Sequence, residues 1–116
     1  MGDRFEDRPP GAQGLSRPRA TEAETEVLAA LWRRGPLSFA CLIEDVQDRQ
    51  PWAGATVKTL LNRLMHKGLI RSVREDGRQL YHPQIARDDF ARAEMQALAD
   101  RLFDGDRQAL RRCLDG

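Results

Sequence analysis

A mainly α fold with one small β-hairpin is predicted by three observations. Three segments before residue 68 repeat apolar residues at helical spacing. The period then shortens to strand-like runs on either side of Asp76-Gly77, a dipeptide suited to a tight hairpin turn. Two more helical segments follow that hairpin. With 116 residues the chain suits one domain plus tails. It is 41% hydrophobic but only 6% aromatic, which predicts a modest core of Leu, Val, Ile and Ala and reliance on a partner subunit.

Residues 1–20 combine Pro9, Pro10, Gly11, Gly14 and Pro18 with scattered charge and few apolar groups, so a disordered tail is expected there. Its arginines, Arg4, Arg8, Arg17 and Arg19, suit a minor-groove arm, but Asp3, Glu6 and Asp7 favour a plain tail. Thr21 and Glu24 then form a capping box, and Val27, Leu28, Leu31 and Trp32 mark the buried face of a first helix stopped by Gly35-Pro36. Ser38 caps a second helix to about Asp48, carrying Phe39, Leu42, Ile43 and Val46. After a loop at 49–54, Val57, Leu60, Leu61 and Leu64 stripe a third helix over 55–67, closed by Lys67 and Gly68. The hairpin pairs Leu69–Arg74 with Arg78–Pro83. This order is that of a winged helix-turn-helix over 21–83. Over 84–116, a helix from about Asp88 to Phe103 and a short last one complete the chain. Phe90, Met95, Leu98, Leu102, Leu110 and Leu114 on those helices suit either core or a dimer seam, and a winged helix complete without them favours the seam.

The third helix carries the functional signal. Opposite its apolar stripe lie Thr59, Asn62 and His66, flanked by Lys58 and Arg63. Hydroxyl, amide and guanidinium groups on one helix face suit phosphates and base edges in a major groove, although such a face is also an ordinary solvated surface. Net charge is only +1, but the segment from Trp52 to Pro83 holds six cations against two acids, so it carries +4 and the remainder −3. That is the footprint of a DNA reader. The competing reading is a protein-interaction module on the same scaffold.

Other classes find little support. No nucleophile elbow, phosphate loop or HExxH motif is present, so enzymatic activity is not expected. His66, His82, Cys41 and Cys113 have no ligand spacing, and neither metal nor cofactor is expected. Two isolated cysteines, no signal peptide and no apolar run of membrane length predict a cytoplasmic protein.

The opening TEAETEVLAALWRRGP, the helix WAGATVKTLLNRLMHKGL, the hairpin DGRQLYHP and the trailing LFDGD together resemble the penicillinase-repressor (BlaI/MecI/CopY) family of bacterial transcription regulators, from Thr21 to about Leu114. The resemblance implies a homodimeric repressor that binds palindromic operator DNA and dimerises through the helices after the wing. It places Ala55, Thr56, Lys58, Thr59, Asn62 and Arg63 on the recognition helix, with His66 secondary, and Arg74 and Arg78 on the wing. It also implies a membrane sensor or protease as a regulatory partner. The chain departs from the family at three places. Ala55 stands where many relatives have a hydroxyl or Asn that caps the helix or meets phosphate. Ala97-Leu98 replaces the cleavage-prone Asn-Phe pair, and the Cys-x-Cys pairs of the copper-responsive branch are missing.

Overall fold

The computed structural model describes residues 19–116. Arg4, Arg8 and Arg17 of the expected tail lie outside the described residues. Helix α1 (Glu22–Arg34) opens with the expected reciprocal cap: Glu24 N–H donates to Thr21 Oγ1 at 3.1 Å, and Thr21 N–H to Glu24 Oε1 at 2.9 Å. At the far end Gly35 takes φ +82°, and its N–H bonds the Leu31 carbonyl at 2.8 Å. Helix α2 (Phe39–Gln47) is capped by Ser38, whose Oγ accepts from Cys41 N–H at 3.3 Å.

Val27, Leu28 and Leu31 of α1, Leu42 and Val46 of α2, and Val57, Leu60, Leu61 and Leu64 of helix α3 (Gly54–His66) form one buried core. Each such side chain removed from water contributes roughly 1.5–3 kcal/mol. Trp32, expected on the buried face, is half-buried. Asp45 joins the ends of α1 and α2 from the core's edge, accepting from Arg33 Nη2 at 2.6 Å and Arg34 Nη1 at 3.3 Å. The two arginines lie in the last turn of α1, where they also meet the negative end of the helix.

The ends of α3 depart from expectation at one side and match it at the other. The helix begins at Gly54, and its N-cap is Ala53, which offers no side-chain cap. Ala55 lies inside the first turn, so the capping group that the sequence lacks is missing at 53, not at 55. At the C-terminus Gly68 adopts φ +78°. Gly68 N–H bonds Met65 O at 3.0 Å and Leu69 N–H bonds Leu64 O at 2.9 Å, a Schellman closure with both leucines buried.

Strands β1 (Ile70–Glu75) and β2 (Arg78–Pro83) pair antiparallel from Ile70 opposite Pro83 to Glu75 opposite Arg78. Asp76 and Gly77 both have positive φ, +51° and +78°, as a type I′ turn requires. A further contact has no local sequence signal: Leu37, between α1 and α2, exchanges backbone bonds with Tyr81 at 3.3 and 2.8 Å. That bridge ties the hairpin's inner strand to the helices, with α1 packing on α2, α3 and β2 and α3 on β1.

A second compact unit covers Gln84–Gly116. In it α4 (Arg87–Leu102) packs against α5 (Arg107–Asp115). Asp104 and Gly105 turn the chain at φ +53° and +83°, and Asp106 caps α5 by accepting from Gln108 N–H at 2.9 Å and Ala109 N–H at 3.1 Å.

Candidate nucleic-acid interface

Burial of Val57, Leu60, Leu61 and Leu64 fixes which side of α3 faces outward. Ala55, Thr56, Lys58, Thr59, Asn62, Arg63 and His66 are all exposed, and Thr59, Asn62, Arg63 and His66 line one shallow groove with Lys67. A helix held rigidly from below and polar above is preorganised for contact, because its backbone pays no ordering cost on binding. The first turn adds its amides. With no side chain capping them, they point toward the helix's positive end, where phosphate oxygens are accommodated.

Two side chains are already partly engaged. Thr59 Oγ1 donates to Ala55 O at 3.0 Å, so the hydroxyl offers outward only its lone pairs and would meet a donor such as an amino group on a base edge. Arg74 Nη1 donates to Gly77 O at 3.1 Å, bracing the hairpin turn while the side chain stays exposed. Arg78 and Arg71 are also exposed on the hairpin. Gln79 Nε2 bonds Ser72 Oγ across the strands at 2.5 Å.

Lys67 differs from the other cations of the stripe. Its Nζ donates to Glu24 Oε1 at 2.5 Å and to Arg19 O at 2.7 Å, tying the end of α3 to the start of α1. Burial by itself pushes the Glu24 carboxyl up, but the hydrogen bond from Lys67, the backbone N–H of Thr21 and the positive charges of Lys67 and Arg63 together hold it below its ordinary value. Asp45 behaves alike: burial raises it, and Arg33 with Arg34 lowers it further than burial lifts it. Neither pairing is visible in local sequence, since Glu24 and Lys67 are 43 residues apart. The one available signal is an acid and a base each beside an apolar stripe.

In the second unit the residues expected at a dimer seam divide into two groups. Phe90 and Leu110 are buried within the chain itself and Leu98 is half-buried. Met95, Leu102 and Leu114 are exposed at 44%, 63% and 70%. Among the described residues no three His, Cys, Asp or Glu gather as a metal site, and no helix is long and apolar enough to cross a membrane. Cys41 is half-buried and Cys113 exposed.

Comparison with known proteins agrees with this geometry. A family model described as Penicillinase repressor matches residues 20–113. The penicillinase repressor of Bacillus licheniformis is 25% identical over 88 residues, which span 76% of this chain and 69% of that protein. The transcriptional regulator BlaI of Mycobacterium tuberculosis is 34% identical over 93 residues, 78% of this chain and 67% of the relative. Among solved structures, monomeric Bacillus licheniformis BlaI in complex with the blaP half-operator superimposes with a TM-score of 0.58 at 27% identity. The match covers 64% of this chain and 90% of that one.

Proposed function

The chain belongs to the penicillinase repressor family, and from that premise we propose that it is a homodimeric transcriptional repressor that occupies palindromic operator DNA. The exposed polar face of α3, backed by four buried apolar side chains, is the observation that carries this reading. A helix of 13 residues is about 20 Å long, and the major groove is wide enough to admit it. Arg63 and Lys58 contact phosphates or base edges, Asn62 and Thr59 hydrogen-bond bases, Ala55 and Thr56 bring the first-turn amides to a phosphate, and His66 contacts the backbone. Arg74 and Arg78 carry the hairpin onto the neighbouring phosphates as a wing.

The second unit supplies the subunit contact, with Met95, Leu102 and Leu114 meeting their counterparts. The two α3 helices then enter successive major grooves about 34 Å apart. Repression is steric, without catalysis, and takes place in the cytoplasm. A membrane sensor or a protease upstream relieves it. Support for the DNA reading comes from the half-operator complex of the relative and from the +4 charge of the segment from Trp52 to Pro83.

A salt titration of binding to duplex DNA tests the proposal. Affinity should fall by about 0.9 log unit per phosphate contact for each log unit of salt. A folded sample that binds no duplex at about 50 mM salt would leave a protein-interaction role in its place.

A further inference from the structure

Lys67 belongs to the groove it shares with Thr59, Asn62, Arg63 and His66, yet its ammonium faces inward. Glu24, which holds it, is 1% exposed and comes from the first turn of α1. The same Oε1 also accepts the Thr21 N–H. With DNA binding by α3 as the underlying reading, we propose that Glu24 is a positioning residue that limits affinity for DNA of any sequence by withholding Lys67 from the phosphate backbone.

Three physical points support this. The lysine stem is long and flexible, and Lys67 keeps 27% of its side chain exposed, so the ammonium has a route to solvent. Leaving would strand a buried carboxylate without its cation, a cost that exceeds what an exposed, salt-screened pairing returns. Arg63 adds positive charge nearby, which keeps Glu24 ionised. The lock therefore holds while other cations on the same face engage DNA. A lysine on a phosphate is a point charge that reads no sequence. Removing one such contact lowers affinity for all DNA and leaves base reading by Asn62, Thr59 and Arg63 intact. The outcome is weaker binding to operator and random sequence alike, with the ratio between them unchanged.

The test compares salt slopes on random duplex and on operator for the wild type, Glu24→Gln, Lys67→Gln and the double variant, each checked for folding by circular dichroism melting. Glutamine at position 24 keeps the capping-box acceptor but removes the charge that holds Lys67. The Glu24→Gln slope should steepen by about 0.9 log unit per log unit of salt, with affinity for random duplex and for operator rising by the same factor. Lys67→Gln alone should leave the wild-type slope unchanged, and the double variant should return to it. A slope shallower by one contact in Lys67→Gln would show that the lysine already sits on phosphate and would overturn the proposal, even if Glu24→Gln failed to fold. An unaltered slope in folded Glu24→Gln would overturn it equally. A flat slope in the wild type would instead bring down the DNA reading itself, so the two failures are distinguishable.

Discussion

Arg63 is the side chain on which a base or phosphate contact depends most, since it is exposed beside Asn62 and His66 and its guanidinium can bond two acceptors at once. Arg63→Ala should weaken operator binding by ~1–3 kcal/mol if the contact is bidentate to a base. Fluorescence anisotropy on matched and mismatched operators checks this, and an equal loss on all sequences would assign the residue to phosphate. Asp45 makes a prediction about stability. Its folded pKa lies below the ordinary 3.8, and that of Glu24 below 4.5. A depressed carboxylate contributes fully above its unfolded value, and that contribution drains away as pH falls through the folded value. Thermal melts should therefore hold between pH 7 and 5 and drop below about 4.5. Asp45→Asn should cost about 1–2 kcal/mol at pH 7 through its charged hydrogen bonds, and its deficit against the wild type should shrink toward pH 3. A deficit equal at both pH values would mean that packing, not charge, holds the two helices there.

Helix α3 is stable through its underside and open at its first turn. Ala53 has extended geometry, φ −69° and ψ 157°, suited to a capping side chain it does not have. Ala53→Ser should therefore stabilise the fold by about 0.5–2 kcal/mol. Ala53→Asp should stabilise it similarly and yet weaken DNA binding, because its carboxylate competes with phosphate at the same amides. Melting and binding measured on both variants would separate these effects. If aspartate left binding untouched, the first turn would not lie against the backbone of DNA. At this scale the sequence was highly legible: capping boxes, glycine stops and apolar periodicity act over three or four residues, and the Thr21–Glu24 cap, the Gly68 closure and the Asp76-Gly77 turn all appear as local chemistry requires. The start of α3 at Gly54, one residue before the expected 55, has no such mark, because neither Ala53 nor Ala55 carries a capping group. The Leu37–Tyr81 bridge could not be read at all, since it is made of backbone groups that any side chains would permit.

For the whole molecule, the outward face of α3 was legible because an amphipathic stripe determines its own opposite side, whereas the inward turn of Lys67 depends on a residue far along the chain. The second unit leaves large apolar groups in water, and a dimer would cover them. Leu102→Glu and Leu114→Glu should yield a folded monomer that loses operator affinity steeply. Both side chains are mostly exposed in the single chain, so unfolding is not expected. Sedimentation velocity reads the assembly state, and a dimer that survived both substitutions would move the subunit contact elsewhere. One carboxylate, finally, links parts of the chain that share no local sequence. Glu24 answers to Thr21 on one side and Lys67 on the other. Glutamine satisfies only the first, and the shorter aspartate would strain to reach both. Positions 21, 24 and 67 should therefore drift as one heritable unit: across descendants of this chain, loss of the acid should be accompanied by loss of the lysine, while the arginine at 63 varies with the operator it meets.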